Sequence, residues 1–331
     1  MESPPIIEVS SLFHSYGETE AVRGVSFSVR EGEIFSLLGP NGAGKSTVIN
    51  VLITLLPLQK GTVTIAGYDL ARDPAHVRRS IGIVFQEVTL DRDMTCREIL
   101  EFHGRLYQMP GAERKARIEE LLELVELEGK ADTLTRHLSG GMKRRLEIAR
   151  GLMTRPRILF LDEPTIGLDP QTRRRMWDYI RAVNGEGTTI FLTTHYMDEA
   201  DSLSDRISIM DHGTIVTTGT GWELKNRLGE DLIYLETSDN TRARDVLLGV
   251  PDVGDLGEKS HGLLATVRKD GTFLLPVLIE RLNSEGIRVN AVNLKKPSLD
   301  DVFVHYTGRE LRDEGRGQDP QHAGTAGVRS K

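Results

Sequence analysis

The sequence predicts an α/β protein in two parts, a large domain over residues 6–222 and a smaller α/β domain over residues 223–308. Three observations predict it. Short apolar, β-branched runs alternate with Gly-rich turns and helical patterns up to about Gly221, as parallel strands buried on both faces do. The pattern then restarts beyond Glu223. The 331 residues, at about 150 residues per domain, also suggest two domains rather than one.

In chain order, the clearest strands are Ile34–Leu38, Ile81–Gln86, Ile158–Asp162, Thr188–Thr194 and Arg206–Asp211. A mostly helical insert at about 89–152 separates the second from the third, because Ile118, Leu121, Leu122 and Val125 recur at helical spacing among Glu, Lys and Arg. In the second domain Asp231–Glu236, Gly262–Arg268 and Ile287–Leu294 suit strands, and Thr272–Asn283 suits a helix ended by Gly286. A last helix starts at Ser298, with Asp301 three residues on to complete a capping box. Residues 309–331 carry almost no apolar side chain and cannot offset their ordering entropy by burial, so a disordered tail is expected there.

Composition narrows the function. Hydrophobic residues make up 38% and charged residues 27%, a globular balance. The 49 acidic residues outnumber 42 Lys plus Arg, and the net charge of −7 argues against a global electrostatic grip on nucleic acid or anionic lipid. The basic runs Lys143-Arg144-Arg145 and Arg173-Arg174-Arg175 sit in helical patterns beside Glu147 and Asp178, which reads as solvated helix faces. Cys96 is alone and cannot form an internal disulfide, so it reads as an apolar filler in a reducing compartment. Met1–Glu8 lacks the basic and apolar regions of a secretory signal, which predicts a protein kept inside the cell. The most apolar stretch, Val48–Leu58, is broken by Asn50, Thr54 and Pro57 and falls short of the ~18 to 20 apolar residues that cross a bilayer.

Gly39-Pro40-Asn41-Gly42-Ala43-Gly44-Lys45-Ser46-Thr47 follows an apolar run and precedes a helical stretch, the setting a phosphate-binding loop requires. Glycines let backbone N–H groups converge on phosphate oxygens, Lys45 reaches the terminal phosphates, and Ser46 can ligate Mg²⁺. Metal-assisted hydrolysis also needs a carboxylate near the metal and a group to orient water. The strand Ile158–Asp162 ends on Asp162, suited to the metal shell, with Glu163 next to it to polarise the water.

Leu138-Ser139-Gly140-Gly141-Met142-Lys143 opens a helical pattern that runs through Leu152. With it come Tyr16, 23 residues before Gly39, then Gln86, the turn Gly167-Leu168-Asp169-Pro170, and His195 after its strand. In this combination and order the chain resembles the ATP-binding cassette (ABC) family over Ile6 to about Gly221. The resemblance implies a P-loop NTPase domain of the ABC type with a helical subdomain, using ATP and Mg²⁺ as a homodimer whose two copies meet head to tail. Ser139, Gly140 and Gly141 of one copy then face the γ-phosphate held by Lys45 and Ser46 of the other, as free N–H groups at a helix start allow. By the same resemblance Tyr16 stacks on adenine, Gln86 senses Mg²⁺ and the water, Asp169 links the two sites, and His195 holds the γ-phosphate. Met142 departs from the commonest family pattern, where Gln is usual.

Ser139–Arg150, Thr193–Asp201 and Pro297–Phe303 further resemble the daunorubicin-resistance branch of drug-export ATPases. That branch implies an accessory second domain, a separately encoded transmembrane permease through which cargo passes, and a peripheral place on the cytoplasmic face of the membrane. No nucleic-acid partner is expected. The alternative is a soluble ABC ATPase acting on ribosomes or DNA, but such relatives usually carry two cassettes or a long coiled-coil insert, and this chain has one cassette and a short insert.

Overall fold

The computed structural model describes residues 4–228, 231–259, 261–268 and 271–308; the 309–331 stretch, expected as a tail, lies outside the described residues. In chain order, β1 (Ile7–Tyr16), β2 (Thr19–Val29) and β3 (Ile34–Leu38) lead into α1 (Lys45–Leu52). Next come β4 (Lys60–Ile65), β5 (Tyr68–Asp69), α2 (Pro74–Ser80) and β6 (Ile81–Val84). A helical block, α3 (Cys96–Leu106), α4 (Gly111–Leu124) and α5 (Gly140–Leu152), precedes β7 (Ile158–Asp162), α6 (Pro170–Gly185), β8 (Thr189–Thr194), α7 (Met197–Leu203), β9 (Arg206–Asp211) and β10 (Thr214–Gly219). The chain continues through α8 (Gly221–Asn226), β11 (Asp231–Thr237), α9 (Asn240–Leu248), β12 (Val253–Lys259), β13 (Gly262–Val267), α10 (Gly271–Ser284), β14 (Val289–Lys295) and α11 (Leu299–Thr307).

The central sheet has the order β10-β9-β3-β8-β7-β6, parallel from β9 to β6 with β10 antiparallel at one edge. Every residue of β3, β7 and β8 is buried, which is why these segments read as mostly apolar runs rather than as a polar-apolar alternation. One apolar cluster joins β3, β7 and β8 to α1 and the N-terminal strands through Phe35, Phe160 and Phe191. Another lies between the sheet, the helical block and α6, through Leu121, Leu146, Leu161 and Ile180. Cys96, the first residue of α3, is fully buried there.

Two differences from the sequence reading have identifiable causes. β1, β2, β4 and β5 form a separate antiparallel sheet rather than adding to the parallel one. β1 begins with buried Ile7 and Val9 alternating with exposed Glu8 and Ser10, but Ser11 at φ 49° and a register shift between Val9 and Leu12 break the period. The strand expected over Ile81–Gln86 stops at Val84. The Phe85 carbonyl accepts instead from the Arg144 guanidinium, which ends the ladder and leaves Gln86 in an exposed loop.

The second sheet, β12-β13-β11-β14, is antiparallel throughout and buries Ile233, Leu235 and Ala265 against Leu247, Leu278 and Leu282 of α9 and α10. α11 begins at Ser298 with the expected capping box, its hydroxyl accepting from the Asp301 N–H. It does not stay with that sheet alone. Leu299, Val302 and Phe303 are buried in one cluster with Leu38, Met197, Ala200, Leu224 and Ile209, and the last helix packs against α7 and α8. Among the described residues no helix is long and apolar enough to cross a membrane.

Candidate active site

The loop 39–44 leaves the carboxyl end of β3, between β9 and β8, and turns into α1. Gly44 caps that helix at φ 104°, a left-handed backbone, and a Cβ there would stand 2.5 Å from the Ala21 carbonyl oxygen. The helix N-terminus is thereby presented at the mouth of the sheet, with N–H groups that have no partner inside the helix. A cleft of about 500 Å³ opens there, lined by Ala21, Asn41, Gly42, Gly44, Lys45, Ser46, Thr47, Gln86, Glu163 and Ile166.

Lys45 is only 4% exposed. Its Nζ donates to the carbonyls of Gly39 (2.8 Å) and Pro40 (3.1 Å) and pairs with Glu163 Oε1 at 3.4 Å. Burial pulls its pKa below the ordinary lysine value, and Glu163 opposes that pull. Glu163 is the meeting point of the site. Its Oε2 lies 3.1 Å from His195 Nδ1 and accepts from Gln86 Nε2 at 3.5 Å. Burial pushes the Glu163 carboxyl up, but His195 and Lys45 outweigh it and hold the group below the ordinary glutamate value. It is therefore ionised at neutral pH and able to accept a proton. Its backbone sits at φ 46°, a left-handed conformation costly for a non-glycine residue, held by its N–H donating to the Thr193 carbonyl and hydroxyl, both at 3.1 Å.

Asp162 ends β7 beside Glu163, buried, and burial raises its carboxyl above the ordinary aspartate value while the Thr193 hydroxyl works against the shift. Thr193 bonds Oδ1, which among the described residues leaves Oδ2 without a side-chain hydrogen bond; the Ser46 hydroxyl is exposed in the first turn of α1. Oxygen donors of this kind, few in number, suit Mg²⁺, which takes its remaining ligands from phosphate and water. Among the described residues no cluster of three or more His, Cys, Asp or Glu competes for a metal. Tyr16 is half exposed, and its hydroxyl is 3.5 Å from Thr47 Oγ1 at the end of the loop.

Ser139, Gly140, Gly141 and Asp169 do not line the cleft. Ser139 is the exposed N-cap of α5, accepting from the Met142 N–H at 3.3 Å, so the start of that helix faces outward. Gly141 lies against α6, where a Cβ would stand 2.6 Å from Thr172 Cγ2. Asp169 caps α6, accepting from the Gln171 and Thr172 N–H groups and the Thr172 hydroxyl. These bonds hold its carboxyl below the ordinary value.

The sequence reading missed several groups. Ala21 and Ile166 line the cleft, one from β2 and one from the turn after Glu163. Glu199, fully buried on α7, accepts from the Thr165 hydroxyl (2.7 Å) and Trp177 Nε1 (3.1 Å), and burial pushes its carboxyl up. The two basic runs are not simply solvated faces. Arg174 and Arg175 are exposed, but Arg173 lies over the Tyr196 ring at 3.9 Å, and Arg145 bonds the Val125 carbonyl and the Tyr179 hydroxyl. Arg144 is 4% exposed and Glu147 fully buried, because carbonyls of two neighbouring loops draw the guanidinium inward. The available signal was position: Arg144 stands four residues before Ile148 and seven before Gly151, on the buried stripe of α5.

Comparison with known proteins gives two family matches, ABC transporter over residues 22–166 and the C-terminal domain of DrrA1-3-like ATP-binding proteins over residues 219–307. The daunorubicin resistance ATP-binding protein DrrA3 of Streptomyces coeruleorubidus is 39% identical over 306 residues, covering 92% of this chain and 97% of that protein. The linearmycin resistance ATP-binding protein LnrL of Bacillus subtilis is 36% identical, covering 93% of this chain and 100% of that protein. Among solved structures, the dimeric ATP-binding cassette MJ0796, in a post-hydrolysis state bound to ADP and Pi, superposes with a TM-score of 0.58 at 31% identity, covering 65% of this chain and 98% of that one.

Proposed function

Since the chain belongs to the ABC transporter family, as one of its ATP-binding, ATP-hydrolysing subunits, we propose that it drives a multidrug or antibiotic exporter. It works as a homodimer on the cytoplasmic face of the membrane, beneath a separately encoded transmembrane permease. The names of its relatives, two of them drug-resistance subunits, support the export direction and the class of cargo. The dimeric cassette MJ0796 supports the paired state.

The observation that carries the reading is the convergence of Lys45, Gln86 and His195 on the Glu163 carboxylate at the mouth of the phosphate loop. ATP lies along the loop with its phosphates on the N–H groups of Gly42, Gly44 and Lys45, and Tyr16 faces the adenine. Ser46, Gln86 and Asp162 would hold Mg²⁺, which when bound would supply positive charge to offset that of the phosphate oxygens. Lys45 leaves Glu163 for the terminal phosphates. Glu163 accepts a proton from water as its oxygen attacks the γ-phosphorus, the bond to the bridging oxygen of ADP breaks, and His195 holds the departing phosphate. Ser139, Gly140 and Gly141 of the second copy, with Asp169 at the seam, close the pocket from the other side. Their outward position at the start of α5 and α6 suits that role.

The domain reading goes with it: a cassette over 6–222 with its helical subdomain at 89–152, and an accessory domain over 223–308 that steadies the dimer. The separate core of the second sheet supports the division.

Two variants test the function. Glu163→Gln keeps ATP binding and cuts turnover by about 10²-fold to 10⁴-fold, the range of a general base; turnover within a few-fold of wild type removes Glu163 from the role. Ser139→Arg keeps ATP binding by the single chain and blocks ATP-dependent dimerisation in light scattering. A variant that still dimerises with ATP rejects the shared pocket.

A further inference from the structure

A guanidinium has five N–H bonds to donate, and Arg144 has five acceptors around it. Nε donates to the Pro164 carbonyl at 2.8 Å. One terminal nitrogen donates to the Phe85 carbonyl and to Glu147 Oε2 (3.0 Å). The other donates to the carbonyls of Asp162 (3.0 Å) and Glu163 (3.2 Å). Glu147 turns its second oxygen the opposite way: Oε1 accepts from the Thr89 N–H at 2.8 Å. Arg150 adds bonds to the Thr89 hydroxyl (2.8 Å) and carbonyl (3.3 Å).

A buried ion pair is a poor device for stability alone, since well-packed apolar side chains in its place often serve as well. What an apolar pair could not do is grip backbone groups on two loops at once. Residues 85 and 89 bracket Gln86, Glu87 and Val88, and residues 162 to 164 bracket Glu163. Glu163 also carries a left-handed backbone, a conformation that persists only where its surroundings over-determine it. Thr193 holds its N–H from the β8 side, and Arg144 holds the carbonyls before, at and after it from the α5 side.

We propose that Arg144, with Glu147, is a positioning residue for hydrolysis: it fixes the loop of Glu163 and the loop of Gln86 to the single helix that begins at Ser139. The two loops then move only as α5 moves. A phosphate that engages the start of α5 thereby acts on the geometry of Glu163 and Gln86 in the same copy. The inference rests on the reading of Glu163 as the group that activates water.

The test is steady-state ATP turnover by the full chain alongside nucleotide binding measured with a fluorescent ATP analogue. The paired change Arg144→Met with Glu147→Leu removes both charges together, so neither is left buried alone. It is expected to keep analogue affinity and KM within about threefold while kcat falls by about 10²-fold, the scale of an ångström-sized misplacement of a catalytic group. Arg144→Lys keeps the charge beside Glu147, but one nitrogen cannot span both loops, and it is expected to show the same split. It serves as the reading if the paired variant does not fold. Wild-type kcat in a folded variant overturns the proposal, and so does a loss of affinity and kcat in equal proportion, which marks a merely structural role. Glu163→Gln in the same assay separates the two layers. If it stays active, the reading of the site falls and positioning with it; if it is inactive while Arg144 variants turn over normally, the positioning role alone falls.

Discussion

Asp301 ties the last strand to the last helix, and its replacement by Asn should loosen both by an amount the structure sets. Lys295 Nζ contacts both carboxylate oxygens, at 2.8 and 2.6 Å, and the Ser298 N–H and hydroxyl donate to Oδ2 at 3.0 and 2.6 Å. The residue is only 4% exposed. Burial pushes its carboxyl up, yet Lys295 and Ser298 outweigh that and bring it from the ordinary 3.8 down to about 2. One decade of proton affinity is about 1.4 kcal/mol, so ionisation of Asp301 stabilises the fold by about 2 kcal/mol. Because the folded value is depressed, this stability is fully present above pH 3.8 and is lost as pH falls through about 2. Asn imitates the protonated acid. Urea unfolding followed by far-UV circular dichroism should therefore place Asp301→Asn about 2 kcal/mol below wild type at pH 7, a midpoint shift of about 1 M. By pH 3 about half of the gap should have closed. A gap that is absent at pH 7, or that stays constant as the solution is acidified, refutes the assignment of this stability to the Asp301 charge.

Phe303→Ala removes the largest side chain that α11 buries in its shared cluster with α7 and α8. It should cost about 3 to 5 kcal/mol and open the 296–308 region to limited proteolysis, and a protease pattern unchanged from wild type speaks against α11 as the clasp. Lys45→Ala should weaken ATP binding by more than about tenfold, one charged contact to phosphate being worth at least about 1.4 kcal/mol. Titration with a fluorescent nucleotide checks it, and unchanged affinity argues against Lys45 as the phosphate ligand.

Most of the fold was legible because its signals are local. β3, β7 and β8 are short runs dominated by Ile, Leu and Phe, and the capping box of Ser298 and Asp301 lies within four residues of chain. The antiparallel sheet was not legible: a bulge at Ser11 destroys the alternation of β1, and β2 carries Gly24 and Arg23 in its middle. Nor was the end of β6, because the partner that takes the Phe85 carbonyl is a side chain 59 residues away. Boundaries set by contacts distant in sequence leave no mark in the sequence beside them.

The site divides along the same line. Gly39 to Thr47, Asp162 and Glu163 sit on contiguous motifs whose chemistry follows from the residues themselves, and the structure brings Lys45, Gln86, Glu163 and His195 together. Arg144 was read as solvated because an unpaired guanidinium is too costly to bury, and charge runs on helices usually face water. That expectation fails only where a full set of acceptors is waiting. Four of the five that Arg144 finds are backbone carbonyls, of Phe85, Asp162, Glu163 and Pro164, and every residue type offers a carbonyl. The composition of those loops therefore says nothing of the guanidinium they hold. Only Glu147, three residues along the same helix, is a visible partner, and an i, i+3 pair of opposite charges is as common on surfaces as it is rare in cores. The residue that joins the two loops of the site is thus hidden for a physical reason: its partners are main chain, and main chain is the one part of a protein that sequence does not distinguish.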